Sequence, residues 1–188
     1  FIKASAIILL QEFPVHKIKT FFIKYSFFYW FTCHDSGNPD FISFTNSDNK
    51  TNKSGTIEIS SHIKNNLNIE VMSHLTCIGS KKEHIISYIN EVKKHNIKNI
   101  LALRGDIPQG NDESIYDLGD YRYSSDLIKD LKDDGNFSIG AAFYPETHFE
   151  SNDIQDLIHL KRKVDLGADF LVSQIFFDNN KFFNFIEQ

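Results

Sequence analysis

The chain has 188 residues, of which 41% are hydrophobic and 24% are charged, and its formal net charge at pH 7 is −5. This balance is typical of a soluble globular protein and excludes an intrinsically disordered or membrane-embedded chain. The acidic charge also argues against general binding to nucleic acid or anionic membranes, since both interactions need clustered Lys and Arg. We therefore expect small-molecule partners and neither nucleic acid nor membrane.

The two cysteines, Cys33 and Cys77, are too few for a disulfide framework and lack the CxxC spacing of zinc or redox sites. Their scarcity is typical of a reducing compartment, so we expect a cytoplasmic protein. The histidines form no HxH or HExxH pair, and the sequence therefore predicts no metal site.

Residues 1–38 show no regular pattern, and we interpret this anomalous N-terminal segment as a degraded first βα unit. From residue 39 onward, short runs of β-branched or aromatic residues alternate with longer segments of helical periodicity. Such alternation predicts parallel strands connected by helices. The predicted strands are 39–45, 69–77, 99–105, 137–145 and 170–178.

Three of the connecting segments carry clear helical signals. Ser80 is the predicted cap of the first helix, and Ser124 or Ser125 is the predicted cap of the second, which ends before Gly135. The apolar stripe of the first helix, formed by Ile85, Ile89 and Val92, is expected to face the sheet. The third helix carries Ile154, Leu157, Leu160 and Val164 and is closed by Gly167. The connection 107–123 is longer than ordinary βα loops and is therefore a functional candidate.

Successive βα units build either an open doubly wound sheet or a closed (β/α)8 TIM barrel, and periodicity alone does not choose between them. No GxGxxG motif follows the first strands, which weakens a dinucleotide-binding fold and favours the barrel. The sequence ends at Gln188, after the sixth strand if residues 1–38 supply the first. The expected fold class is an incomplete α/β TIM barrel with about six of the eight βα units.

Polar side chains cluster where the predicted strands end, and in parallel α/β proteins the functional groups gather at these carboxyl ends. A single histidine is ordinarily a structural residue. An exposed Arg–Asp pair is ordinarily an ion pair within a loop, which contributes little to stability. Five polar strand ends that meet at one edge indicate a site more strongly than any one residue does. The residues at these ends are Thr45, His74, Thr76, Arg104, Asp106, Tyr144, Glu146, His148, Gln174 and Asp178.

Five motifs, in their order and spacing, resemble methylenetetrahydrofolate reductase. They are HLTCIG at 74–79, LALRGDIPQG at 101–110, AAFYPETH at 141–148, LKRKVDLGAD at 160–169 and SQIFFD at 173–178. The resemblance covers residues 39–188, and it implies a partial FAD-binding barrel domain over that range. It further implies that the intact parent uses NADH or NADPH to reduce 5,10-methylenetetrahydrofolate to 5-methyltetrahydrofolate in one-carbon metabolism. A homo-oligomeric parent is also expected.

The resemblance implies roles for individual residues of this chain. The implied FAD-binding residues are Thr45, His74, Arg104, Gly105, Asp106, Tyr123, Ser124, Tyr144, His148, Asp156 and Lys163. Asp106 is also an implied catalytic residue, because a carboxylate near both flavin and folate favours a cationic folate intermediate. Asp106 and Gln174 are the implied folate-binding residues, and the Gln174 amide can both donate and accept. The family's general acid is a first-strand glutamate, whose nearest counterpart here is Glu12 in QEFPVH.

The chain also departs from the family pattern. Thr45 is followed by Asn-Ser-Asp instead of a tyrosine and a glycine-rich turn, and residues 15–38 show no family pattern. The second hypothesis is therefore a non-catalytic truncated remnant of the enzyme, and we expect no turnover by these 188 residues alone. A third hypothesis, a barrel lyase, requires a Schiff-base lysine at a strand end, and none of the five predicted strands ends in lysine.

Overall fold

The computed structural model describes residues 7–12, 18–22, 41–44, 53–107, 114–146, 148 and 152–187. Strands and helices alternate through most of these residues. The strands are β1 Ile7–Glu12, β2 Ile18–Phe22, β3 Phe41–Phe44, β4 Glu70–Thr76, β5 Asn99–Leu103, β6 Ser138–Phe143 and β7 Phe170–Ser173. The helices are α1 Lys53–Asn66, α2 Lys82–Lys94, α3 Ile115–Leu118, α4 Ser124–Asp134, α5 Asp153–Asp165 and α6 Asn179–Ile186. Within the described ranges, no helix is both long enough and apolar enough to cross a bilayer.

The described strands form a seven-stranded sheet in the order β2-β1-β7-β6-β5-β4-β3. Strands β3 to β7 are successive parallel neighbours, joined by helices, and they confirm the five strands predicted from the sequence. The five strands curl into a half-barrel, so the fold is the predicted incomplete TIM barrel. Strands β5, β6 and β7 are shorter than predicted, because Arg104, Tyr144 and Gln174 lie beyond the last residue of each strand.

Strands β1 and β2 pair with each other in antiparallel fashion, and β1 also runs antiparallel to β7. A βα unit of the barrel would instead add a parallel strand. Glu12, the last residue of β1, lies opposite Phe170, the first residue of β7. The assignment of residues 1–38 to a first βα unit stays a prediction.

The two faces of the sheet bury different sets of side chains. The outer face packs against the helices, and its cluster joins strand residues such as Leu75 and Ile139 to Val92 of α2 and Leu127 of α4. The inner face carries a smaller cluster. It is formed by Met72, Leu101, Phe170 and Val172, with Phe41 and Leu103 packed against it. Full burial of each such side chain contributes about 1.5–3 kcal/mol.

Gly140 lies in β6, beside Phe170 and Leu101 of the inner cluster. A Cβ atom at this position would lie 2.5 Å from Cε2 of Phe170 and 3.1 Å from Cδ1 of Leu101. Real Cβ atoms do not approach neighbours so closely, so the absent side chain makes room for the Phe170 ring.

The first turn of α2 is capped by a residue that is distant in the sequence. The prediction of Ser80 as the cap is wrong, because the N-cap position is Lys81, whose side chain makes no capping hydrogen bond. The backbone N–H of Lys82 instead donates to Oδ2 of Asp120, at 2.8 Å. Asp120 also accepts a hydrogen bond from Nζ of Lys81, and its own N–H donates to the Ser80 carbonyl oxygen. The connection that precedes α4 is thereby fixed to the start of α2.

Helix α4 also differs from the prediction. Helix α4 begins at Ser124, and the Asp126 carboxylate accepts the N–H of Tyr123, so neither serine supplies the cap. In α5, Ile154 is 69% exposed, whereas Leu160 packs against the outer cluster. Asn152 caps this helix by accepting the N–H of Gln155.

Candidate active site

The carboxyl ends of β4 to β7 lie level with one another along one edge of the sheet, here called the carboxyl edge. The parallel register pairs Thr76 with Leu103 and Phe143 with Ser173, so the strands end side by side. Arg104, Tyr144 and Gln174 each directly follow the last residue of a strand. The structure therefore brings these three predicted site residues to the same edge.

His74 lies near this edge, in β4, where it is half-buried. Its Nε2 is 2.7 Å from Oγ of Ser43 in β3. Burial lowers the pKa of His74 to about 4, because the charged imidazolium loses its hydration. At neutral pH the ring is therefore an uncharged hydrogen-bonding group.

Gly105 allows the turn after β5 to pack closely against the end of β4. Its φ angle is +88°, and a Cβ atom there would lie 3.0 Å from Cγ2 of Ile78 and 3.1 Å from Cβ of Thr76. The turn is held by the carbonyl oxygen of Arg104, which accepts the N–H of Ile78 at 2.8 Å. This backbone leaves Asp106 exposed at the carboxyl edge.

Tyr116 in α3 lies close to two guanidinium groups. The centre of its ring is 5.7 Å from Cζ of Arg104 and 5.8 Å from Cζ of Arg122. Both distances are typical of cation–π contacts. The long connection between β5 and α4 therefore supplies an aromatic residue and a second cation beside Arg104.

The N-terminus of α4 presents Tyr123 and Ser124, two of the residues for which the resemblance implies FAD binding. The Asp126 carboxylate accepts the N–H groups of Arg122 and Tyr123, at 3.3 and 3.0 Å. Ser124 is buried, whereas Tyr123 is 45% exposed. The exposed ring can therefore contact a ligand at this end of the edge.

Tyr144, His148 and Asp156 form one group beyond the end of β6. The rings of Tyr144 and His148 meet edge to face, with their centres 4.5 Å apart. The backbone N–H of His148 donates to Oδ2 of Asp156, at 2.7 Å. The first turn of α5 thereby fixes the connection that carries both rings.

The side chain of Lys163 extends from the later turns of α5 toward the end of β6. Its Nζ donates to the carbonyl oxygen of Ala142, at 2.8 Å. Burial lowers the pKa of Lys163 to about 8, with Asp156 acting in the opposite direction and Arg104 in the same direction. An anionic ligand beside this amine would raise its pKa and favour the charged form.

A cleft of about 310 Å³ opens beside this group, between the connection after β6 and helices α5 and α6. Its lining residues are Tyr144, Pro145, Asp153, Asp156, Leu157, Lys181, Asn184 and Phe185. Two of the residues implied in FAD binding therefore border open space that a ligand can enter.

A sequence model of the methylenetetrahydrofolate reductase family matches residues 24–188. The chain belongs to this family. The match begins before residue 39, so the prediction that residues 15–38 show no family pattern is wrong for residues 24–38. The methylenetetrahydrofolate reductase resemblance stated from those motifs is confirmed.

Individual relatives agree with the methylenetetrahydrofolate reductase family match. The 5,10-methylenetetrahydrofolate reductase of Pectobacterium carotovorum is 37% identical over 148 residues, which are 78% of this chain and 48% of that protein. The protein of the same name from Escherichia coli is 36% identical over 148 residues, again 78% of this chain and 48% of that protein. The maize protein named methylenetetrahydrofolate reductase (NADH) 1 is 34% identical over 160 residues, 79% of this chain and 27% of that protein. The chain spans about half the length of these bacterial relatives.

One residue implied by the family resemblance, Glu12, is not brought to the carboxyl edge. Thr45 lies outside the described residues. Glu12 lies opposite Phe170, at the amino end of β7, because β1 runs antiparallel to that strand. The described backbone therefore places Glu12 at the end of the sheet away from Asp106.

Four residues that the sequence reasoning did not select join the site. Tyr116 and Arg122 do so through the contacts with Arg104 and with each other described above. In α5, the ring centre of His159 is 6.3 Å from that of Tyr123, and Nη2 of Arg162 is 3.6 Å from Oδ1 of Asp126. The available signal was the spacing of three positions from Asp156 to His159 and again from His159 to Arg162, since residues three positions apart are neighbours on a helix surface.

Proposed function

We propose that the natural polypeptide containing this chain, here called the parent polypeptide, is a flavin-dependent methylenetetrahydrofolate reductase that uses NADH or NADPH. The observation that carries this proposal is the convergence of Arg104, Tyr144 and Gln174 at the carboxyl edge. Membership of the reductase family supports the proposed reaction, and the convergence supports the proposed location of the site.

The described residues fit FAD in charge and shape. Arg104, Arg122 and Lys163 supply positive charge for its phosphates, in a chain whose net charge is −5. Gly105 lets backbone approach a planar ring closely, because it carries no side chain. When bound, FAD supplies hydride transfer from the nicotinamide to the folate.

Asp106 has the electrostatic role in the proposed reaction. Its carboxylate is exposed at the carboxyl edge, directly after the Gly105 turn. A negative charge at this position stabilises a cationic folate intermediate. It also opposes further negative charge on a neighbouring ligand.

Gln174 has the binding role for folate. It directly follows β7, and its backbone N–H donates to the Phe143 carbonyl oxygen at 2.7 Å, which fixes its position. Its side chain is exposed, and an amide can donate to and accept from a pterin ring. Glu12 is not part of the proposed site, because its register places it at the other end of the sheet.

The test is to purify the parent polypeptide, measure its flavin content and assay it with methylenetetrahydrofolate and each nicotinamide cofactor. The proposal predicts bound FAD and formation of methyltetrahydrofolate. Absence of flavin under saturating FAD would contradict it. Flavin binding without methyltetrahydrofolate is the outcome that a non-catalytic remnant predicts.

A further inference from the structure

The carboxylate of Glu146 joins two connections at the carboxyl edge. Glu146 follows β6, and its Oε1 accepts the backbone N–H groups of Phe177 and Asp178, at 3.1 and 2.9 Å. Both donors lie between β7 and α6. One oxygen atom thereby holds the connection that begins at Gln174.

The connection held by Glu146 is fixed at both of its ends. Gln174 at its start is held through its N–H by the Phe143 carbonyl oxygen. Asp178 at its end caps α6 by accepting the N–H of Asn180, at 2.9 Å. Without Glu146, the main chain between these ends loses both described hydrogen bonds to the connection after β6.

The charge of Glu146 suits this position. Hydrogen bonds to an ionised acceptor are stronger than those between neutral groups. The carboxylate also lies beside the N-terminus of α6, where the helix dipole favours negative charge. Phe177, whose N–H it accepts, is 82% exposed, whereas the preceding Phe176 stacks on Phe182 of α6.

We propose that Glu146 is a positioning residue that holds Gln174 in place for folate binding. This inference rests on the proposed function. The flavin side of the site has separate supports, because His148 is held by Asp156 and Lys163 by Ala142. Loss of Glu146 therefore affects folate binding more than flavin binding.

The experiment compares Glu146→Ala, Glu146→Asp and Glu146→Gln in the parent polypeptide, with Glu83→Ala on the exposed side of α2 as a control. The readouts are flavin content, the rate of flavin reduction by the nicotinamide cofactor and the KM for methylenetetrahydrofolate. Glu146→Ala is expected to raise this KM about tenfold, because two hydrogen bonds to a charged acceptor are lost. Glu146→Gln keeps an acceptor oxygen and restores most of the affinity. Glu146→Asp, with its shorter reach, raises KM even if the alanine variant does not fold.

An unchanged folate KM in both Glu146→Ala and Glu146→Asp would overturn the inference. Equal losses in flavin reduction and folate reduction would also overturn it, since they indicate a general structural role. A wild-type protein without flavin or folate reduction refutes the proposed function itself, and the inference with it. The control Glu83→Ala is expected to match the wild type.

Discussion

Nζ of Lys163 donates a hydrogen bond to the main-chain carbonyl oxygen of Ala142, at 2.8 Å. This contact holds a half-buried amine beside the end of β6, and burial lowers its pKa to about 8. The charged form that attracts phosphate is therefore present below that pH and is lost as the pH rises.

The affinity for FAD is expected to fall as the pH increases above about 8, because Lys163 releases its proton there. Bound phosphate raises this pKa, so the affinity falls between the pKa of the free protein and the higher pKa of the complex and then levels off. Titration of the parent polypeptide with FAD between about pH 6 and about pH 10, followed by flavin fluorescence, measures the effect. Lys163→Met is expected to bind weakly at every pH. The same pH dependence in this variant would contradict the role of Lys163.

Replacement of Asp106 by asparagine is expected to spare flavin binding and slow folate reduction. The amide keeps the size of the side chain but lacks the charge that stabilises a cationic intermediate, and such a loss costs about 10²-fold in rate. Stopped-flow measurement of the folate half-reaction tests this expectation. Asp133→Asn, at an exposed position of α4, is the control. Wild-type rates in Asp106→Asn would remove Asp106 from the mechanism.

Gln174→Ala is expected to raise the KM for methylenetetrahydrofolate while flavin reduction by the nicotinamide cofactor stays nearly unchanged. The side chain is exposed, so its removal leaves the packing of β7 intact. Steady-state kinetics with each substrate varied in turn separate the two effects. Gln155→Ala, exposed on α5, is a matched control. If both half-reactions slow equally, Gln174 has a structural role.

Gly105→Ala is expected to lower stability more than Gly135→Ala. Both glycines have positive φ angles, +88° and +76°, so both substitutions carry backbone strain of about 1 kcal/mol or more. Only at Gly105 would the new Cβ also contact neighbours at 3.0 and 3.1 Å, whereas nothing lies within 4 Å at Gly135. Urea unfolding of the two variants measures the difference. Equal losses would show that close packing at Gly105 contributes nothing.

The sequence was sufficient to predict the five parallel strands, because each is a short apolar run that ends at polar residues. It was also sufficient to predict that Arg104, Tyr144 and Gln174 lie at the carboxyl edge, since each directly follows such a run. Helix α1 was not predicted, because its sequence is rich in β-branched and polar residues and lacks a clear apolar periodicity. Its buried residues include Ile57 and the polar Ser60.

Contacts between distant segments could not be read from local patterns. The cap of α2 comes from Asp120, which is 38 residues away from Lys82. Tyr116 lies beside Arg104 although the two are far apart in the sequence, so their contact depends on the tertiary fold. The antiparallel course of β1, which moves Glu12 away from the carboxyl edge, likewise depends on pairing with β7.

The most direct test of the proposed function is the oxidation of reduced flavin by methylenetetrahydrofolate in the parent polypeptide. The protein is loaded with FAD, reduced anaerobically with NADH or NADPH and mixed with methylenetetrahydrofolate in a stopped-flow spectrometer. We predict that the absorbance of oxidised flavin returns with formation of one methyltetrahydrofolate per flavin. Flavin that stays reduced after the folate is added would contradict the proposed function.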